Sequence, residues 1–284
     1  MAMRQPDFQL FSSFRFDVML LESSANSALS KSPSPFYMLP YHRDRMLEAA
    51  LHFGWSVAAD RINGAQGLQN ILQKLGISMD IRSSTPLRIK TVLHHDGNIT
   101  VETNETPAVP LANLFPSRIP WPAPKLEVSP LTGGAMLLGE GDNLQAEAQP
   151  GNPLQTQPWI VMVDPEKTTP SPFTTYKTTC RDMYVGARAR AGIEAMTEPK
   201  EVLIISDSGS EIMEGSLTSV FFWRGGRWVT PPVSSGGQSG TTRRWLLEKG
   251  LCEEEVVSSG SLVDGEECWI SNGVRGLIWG KVKL

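Results

Sequence analysis

Four short segments of the chain carry residue types that could do chemistry. Lys177 sits in PFTTYKTTCRDMYVGARAR, where an extended stretch meets a helical one. An ammonium there can be desolvated and its pKa lowered, as an amine that condenses with a carbonyl requires. Glu214, in EIMEGSLTSVFFWRGG, lies just before a strongly apolar strand, where an ionised carboxylate needs a cation or donors. It reads either as a strand-end acid or as the counter-charge to a buried cation such as a pyridinium nitrogen. In TPPVSSGGQSGTTRRWLLEKG, small residues lead into a helix starting near Thr241 and Thr242. Free N–H groups and two hydroxyls at a positive helix end make a phosphate cradle, and the same residues also read as ordinary N-capping. In YHRDRM, Arg43 and Arg45 share a helix start, and one of them could contact a phosphate.

The elements that must position these groups divide into two lobes. Ten prolines lie between Pro107 and Pro158, and Leu131 to Gln157 reads as a connector because Gly and Pro interrupt every period. The expected division is a small lobe over 1–115, a connector over 116–158 and a larger lobe over 159–284. In the first, Phe8 to Leu21 favours a strand or hairpin, and Pro40 opens a helix whose apolar spacing runs through Phe53 and Gly54. A weaker helix is expected over Gly67 to Leu75, ended by Gly76. Asp96-Gly97-Asn98 then separates two strands as a hairpin turn. The second lobe reads as strand (WIVMVD), helix (Thr178 to Met196) and strand (EVLIISD). Paired strands about Gly225-Gly226, a helix over Thr241 to Lys249 and two late strands follow. Helices and strands mix without a regular βαβ repeat, so the expected class is α+β.

Composition removes several alternatives. Lys and Arg total 26 against 30 Asp and Glu, a net charge of −4 that argues against nucleic-acid or polyanion binding. No window approaches eighteen consecutive apolar residues, so no membrane span is expected. Charged residues interrupt Met1 to Leu21, so a secretory signal is not expected there either. Cys180, Cys252 and Cys268 form no CxxC and no even framework, which fits free thiols in a reducing, cytoplasmic setting. Metal-binding and nucleotide-loop motifs are missing. His94 and His95 point to opposite faces of a strand, and His42 and His52 offer no shared site.

Taken together, FSSFRFD, HRDRM, YKTT-R, EGSLTSVFF, GTTRR and ISNGVRG stand in an order that resembles the class IV, or fold-type IV, pyridoxal-phosphate enzymes. That family includes branched-chain and D-amino-acid aminotransferases and 4-amino-4-deoxychorismate lyases. The resemblance implies a two-lobed α+β fold, with a small N-terminal α/β lobe and a larger β-rich one. It also implies pyridoxal 5′-phosphate as cofactor and a homodimer. Arg45 matches the family's phosphate-binding arginine, Lys177 the Schiff-base lysine and Glu214 the partner of the pyridine nitrogen. Thr241 and Thr242 match the phosphate-binding helix start, and Ser271 with Asn272 the late strand-end pair. Gln238 stands where many members have a ring-packing leucine.

Local details resemble the lyases: Arg181 four residues after Lys177, Asp182 where branched-chain transaminases place a tyrosine, and Asn272 after Ser271; the opening FSSFR resembles that of the bacterial lyases, and the longer run FSSFRFD…LPYHRDRMLEAA resembles their fungal branch. Ser12 or Ser13 would replace a threonine near the reacting carbon, and only one can serve because they face opposite ways. A dicarboxylate substrate suits guanidinium groups, for which Arg15, Arg88, Arg181 and Arg275 are candidates. Tyr184, one turn beyond Arg181, reads as packing. A class IV aminotransferase is the alternative, and a scaffold that has lost catalysis is a third reading.

Overall fold

The computed structural model describes residues 7–80, 83–122, 126–128, 135–137 and 157–284. The connector expected over Leu131 to Gln157 falls almost entirely outside them. The N-terminal part builds strand β1 (Leu10–Phe16) and helices α1 (Ser24–Ser30), α2 (Leu39–His52), α3 (Ser56–Ile62) and α4 (Gly64–Ser78). Strands β2 (Leu87–Leu93) and β3 (Ile99–Glu105) and the short helix α5 (Leu111–Leu114) follow. A small ribbon pairs β4 (Leu126–Val128) with β5 (Ala135–Leu137). The C-terminal part contains β6 (Trp159–Thr168), α6 (Pro172–Thr175), α7 (Asp182–Arg190), β7 (Lys200–Ser206) and β8 (Ile212–Gly215). It closes with β9 (Ser219–Arg224), β10 (Arg227–Thr230), α8 (Thr241–Glu248), β11 (Glu253–Glu254), β12 (Glu267–Asn272) and β13 (Gly276–Lys283).

Two sheets organise these elements. One has three antiparallel strands in the order β1-β2-β3; the other has eight in the order β11-β10-β9-β12-β13-β6-β7-β8. The larger sheet mixes directions: β6 runs parallel to both β13 and β7, while β9, β12 and β13 pair antiparallel. The class is therefore α+β, as the irregular alternation of elements implies.

Strand β1 is buried on both faces. Leu10, Phe14 and Phe16 pack with Met46, Ala50, Ile62, Ile71 and Leu75, so three helices cover one side of the small sheet. Truncating such a buried aromatic to alanine costs about 3–5 kcal/mol. The opposite side of β1 faces the C-terminal part, to which it is bonded through its backbone. Phe11 N–H donates to the Lys177 carbonyl at 3.1 Å, and Arg15 N–H donates to the Gly273 carbonyl at 2.9 Å. A second cluster is shared between the two parts: Leu20, Tyr37, Met38, Tyr41 and Leu114 pack with Phe221, Trp228, Trp245 and Trp269.

Several local expectations change. The predicted helix from Thr178 to Met196 is shorter, running from Asp182 to Arg190. Thr178 instead bridges to Leu10, and Thr179 N–H donates to the Gln9 carbonyl at 2.9 Å, which holds this segment extended against β1. Gly76 does not end α4, which continues to Ser78, and α3 was not anticipated. The hairpin turns are where the glycines place them. Gly225 and Gly226 take φ of 54° and 80°, the left-handed pair that a tight two-residue hairpin demands.

Candidate active site

The site lies where β1, the start of α2, the Lys177 segment and the large sheet meet. Lys177 follows α6 and precedes the extended residues bonded to β1. Its Nζ stands 5.1 Å from the Phe11 ring centroid and makes no salt bridge among the described residues. Burial, reinforced by the nearby Arg181 and Arg45 guanidiniums, holds the amine well below the usual lysine range, while Glu214 acts in the opposite sense. At neutral pH this favours the uncharged, nucleophilic form.

Glu214 projects from β8 and is 6% exposed. The Tyr184 hydroxyl donates to its Oε1 at 2.5 Å, and Gln238 N–H donates to Oε2 at 3.3 Å. Burial lifts this carboxyl above its ordinary value; the Tyr184 bond, Lys177 and the Gln238 amide oppose the shift. Gln238 also donates through Nε2 to the Tyr184 oxygen at 3.3 Å. The amide at the position of the family's leucine is thus engaged with Tyr184. Arg181, at the N-cap of α7, stacks its guanidinium 4.3 Å from the Tyr184 ring centroid and donates to the Ser216 carbonyl at 2.7 Å. Tyr184 is therefore more than packing, and its single proton goes to Glu214 rather than to the Thr174 carbonyl at 3.3 Å.

The loop receiving Arg181 is itself fixed. Glu201, 1% exposed, accepts from Ser216 N–H, Ser216 Oγ, Leu217 N–H and Thr218 Oγ1 at 2.5–3.2 Å. A buried carboxylate with this many donors is fully satisfied and acts as a clamp.

The other end gathers Arg45, Thr241, Thr242 and Ser271. Arg45, on α2, donates from Nη2 to Ser12 Oγ at 2.6 Å; burial lowers its guanidinium to about 10, so it stays charged at neutral pH. Thr241 and Thr242 begin α8. The Thr242 hydroxyl donates to the Asn272 carbonyl at 3.1 Å. Ser271 pairs with Ser219 across β12 and β9, and Ser219 abuts Gly240, the N-cap of α8. Ser271 Oγ and Arg45 Nε are both buried without a hydrogen-bond partner among the described residues. Two orphaned donors beside a helix start await an acceptor, so the residues present fit the phosphate of pyridoxal phosphate. Asn272 takes another role: its Oδ1 accepts from the N–H groups of Val274 and Arg275, each at 3.0 Å, and so shapes the turn after β12.

The four substrate arginines separate. Arg15 is fully buried in a double hydrogen bond to Asp17 Oδ2, at 2.9 and 2.7 Å, and donates to the Pro107 and Val274 carbonyls. It stands opposite Arg88 across β1 and β2, but its guanidinium is spent on Asp17, so it acts as a structural tie. Arg88, on β2, reaches Ser13 Oγ at 3.4 Å, on the face of β1 that also carries Phe11 and hence looks toward Lys177. Arg275 lies 5.0 Å over the Trp159 ring, and the Arg88 charge, after burial, lowers its guanidinium pKa. Ser12 turns the other way, toward α2, where its Oγ is 2.8 Å from His42 Nδ1. Sequence reasoning missed His42 because it was weighed only as a metal ligand; its place in H-x-x-R, one helical turn before Arg45, was the available signal.

The fold and this set of groups define a fold-type IV architecture. A structure of a proposed amino-acid aminotransferase from Mesorhizobium loti superposes with a TM-score of 0.64 at 22% identity, covering 97% of this chain and all of that one. A proposed 4-amino-4-deoxychorismate lyase gives 0.60 at 17% identity, over 99% and 89% of the two chains. At the level of sequence, residues 142–279 match the family model of amino-transferase class IV. The aminodeoxychorismate lyase of Saccharomyces cerevisiae is 37% identical over 139 residues, which span 44% of this chain and 37% of the yeast protein. Among the described residues no helix is long and apolar enough to cross a membrane, and no cluster of metal-ligating side chains occurs.

Proposed function

We propose that the protein is a pyridoxal-phosphate-dependent lyase that converts 4-amino-4-deoxychorismate to 4-aminobenzoate and pyruvate, a step toward folate. The observation that carries this reading is the gathering of cations about Phe11 and Lys177: Arg181 lies over the same Phe11 ring as Lys177, at 5.9 Å, and Arg45 and Arg88 act on the amine in the same sense, with Glu214 opposing them. Such a site suits a cofactor phosphate at one end and a dicarboxylate substrate at the other. The likeness to the yeast enzyme favours the lyase.

Pyridoxal phosphate, when bound, supplies an electrophilic carbon for an amine and a ring that takes up an electron pair. Arg45, Thr241, Thr242 and Ser271 would hold its phosphate, and Glu214 would keep a proton on its pyridine nitrogen. Lys177 Nζ, whose burial and neighbouring guanidiniums disfavour its charged form, would take the proton from the substrate ring carbon and can return it. As that C–H bond and the ether bond between ring carbon and oxygen break, the ring becomes aromatic, and the leaving group departs as the enolate, which takes up one proton on carbon to become pyruvate. Ser13, on the Lys177 side of β1, is the better placed of the two serines to assist, while Ser12 supports the phosphate end. Arg88, Arg181 and Arg275 would receive the carboxylates. The active species is a cytosolic homodimer, testable by light scattering.

Incubation with enzymatically made aminodeoxychorismate tests the reading. Pyruvate and 4-aminobenzoate should form without any keto acid. Turnover only when a keto acid is added would overturn the lyase and establish the class IV aminotransferase, the reading that the Mesorhizobium loti neighbour favours.

A further inference from the structure

One buried titratable side chain at the phosphate end has no part in the roles above. His42 is fully buried and bridges β1 and α8, with Nδ1 2.8 Å from Ser12 Oγ and Nε2 3.3 Å from Thr241 Oγ1. Arg45 Nη2 donates to the same Ser12 oxygen at 2.6 Å and lies 3.4 Å from His42 Nδ1. Gly273 makes room for the ring: a Cβ there would fall 2.5 Å from His42 Cε1.

The directions of these bonds follow from what each group can do. A guanidinium only donates, so Ser12 Oγ accepts from Arg45. Ser12 is fully buried, and its hydroxyl hydrogen has His42 Nδ1 as its acceptor among the described residues. The Arg45 N–H groups facing Nδ1 also oppose a hydrogen on that atom. Burial and the Arg45 and Lys177 charges keep the imidazole neutral. The ring hydrogen therefore sits on Nε2 and points at Thr241 Oγ1. Having accepted there, Thr241 keeps its own hydroxyl hydrogen to donate elsewhere.

We propose that Arg45, Ser12, His42 and Thr241 form a one-way donor relay that delivers the Thr241 hydroxyl hydrogen to a phosphate at the start of α8, with His42 as its positioning residue. Each bond polarises the next, so the last donor is stronger than an isolated threonine. The proposal rests on the reading of this helix start as the cofactor-phosphate site. The opposite tautomer would turn the Thr241 hydrogen back toward Nε2 and leave the phosphate a weaker partner.

Two measurements on the full-length chain test the relay. Nitrogen-15 NMR of the ring at pH 7 should report the Nε2–H tautomer, and an Nδ1–H tautomer or an imidazolium would overturn it. Pyridoxal phosphate and pyridoxal, which lacks the phosphate, are then titrated into wild type, His42→Phe and His42→Gln. His42→Phe should weaken pyridoxal phosphate about tenfold, the worth of one hydrogen bond, and leave pyridoxal within about twofold. His42→Gln, with both a donor and an acceptor, should recover part of the loss. Equal weakening of both ligands, or no weakening, overturns the relay. If His42→Phe does not fold, Ser12→Ala breaks the relay with the ring in place, and the same phosphate-dependent loss is expected. A wild type that binds neither ligand sinks the cofactor reading instead, a result distinct from a phosphate-independent loss in the variants.

Discussion

Ser12 and Ser13 are neighbours on β1, yet they serve the two opposite ends of the candidate site. On the Ser12 side, His42 is bonded to Ser12 and Thr241, Arg45 to Ser12, and Thr242 to the Asn272 carbonyl. On the Ser13 side, the contacts of Arg88 and Arg275 among the described residues are a long 3.4 Å hydrogen bond and an aromatic face; burial disfavours both charges and Arg88 that of Arg275, with Glu102 and Glu201 offsetting this only in part. The first arrangement suits a group held permanently, because its partners are ordered in advance. The second leaves cations under-neutralised, a state costly in itself and relieved by an incoming anion. A single strand thus separates a prewired end from an expectant one.

That contrast can be attacked by mutation, beginning with the group common to both ends. Lys177→Ala should lower turnover by about four orders of magnitude in a product assay; retained turnover would mean the two ends do not flank one reaction centre. Glu214→Gln should cost about two to three orders of magnitude in kcat while pyridoxal-phosphate absorbance persists. Arg45→Ala and Arg275→Ala should then part company. The first should raise the cofactor Kd, and the second the substrate KM, each by about ten- to a hundredfold, as expected for a charge-assisted bond. Exchange of those two signatures would invert the assignment of the ends. Tyr184→Phe removes a donor from Glu214 and should reduce kcat about tenfold, with the cofactor Kd little changed.

The smallest effect is one of stability against pH. His42 is neutral in the folded chain, with its pKa held well below the ordinary 6.5, so the unfolded chain binds the extra proton. Its contribution is whole above about 6.5 and is lost as pH falls below that value. The melting temperature of the cofactor-free wild type should therefore drop more between pH 7 and pH 5 than that of His42→Phe. Parallel curves would show that the imidazole is not held neutral.

What could be read from the sequence was what local chemistry decides. Asp96-Gly97-Asn98 and Gly225-Gly226 marked hairpins because their backbone angles are restricted to few residues, and the strands on either side follow. Lys177, Glu214 and Arg45 stood out as candidates through their motifs. The length of α7 was not, because Thr178 and Thr179 are held extended by β1, more than 160 residues away in the chain. Helix α3 is a seven-residue segment with too few turns to show a period. The engagement of Tyr184 with Glu214 and Gln238 depends on three separate elements converging, which no local spacing records. Arg15 carried the right chemistry for a carboxylate but spends it on Asp17, two residues away.

The aromatic cluster joining the first quarter of the chain to its last bears on how such a molecule can be recombined. Tyr37 meets Phe115 edge-on at 5.2 Å, and Phe115 meets Trp245 at the same separation. A chimera spliced at residue 115 would inherit half of this interlocked set from each parent, with rings chosen for different neighbours. Recombination should preserve stability best where Tyr37, Phe115 and Trp245 travel together, because they belong to one core shared by both parts of the chain.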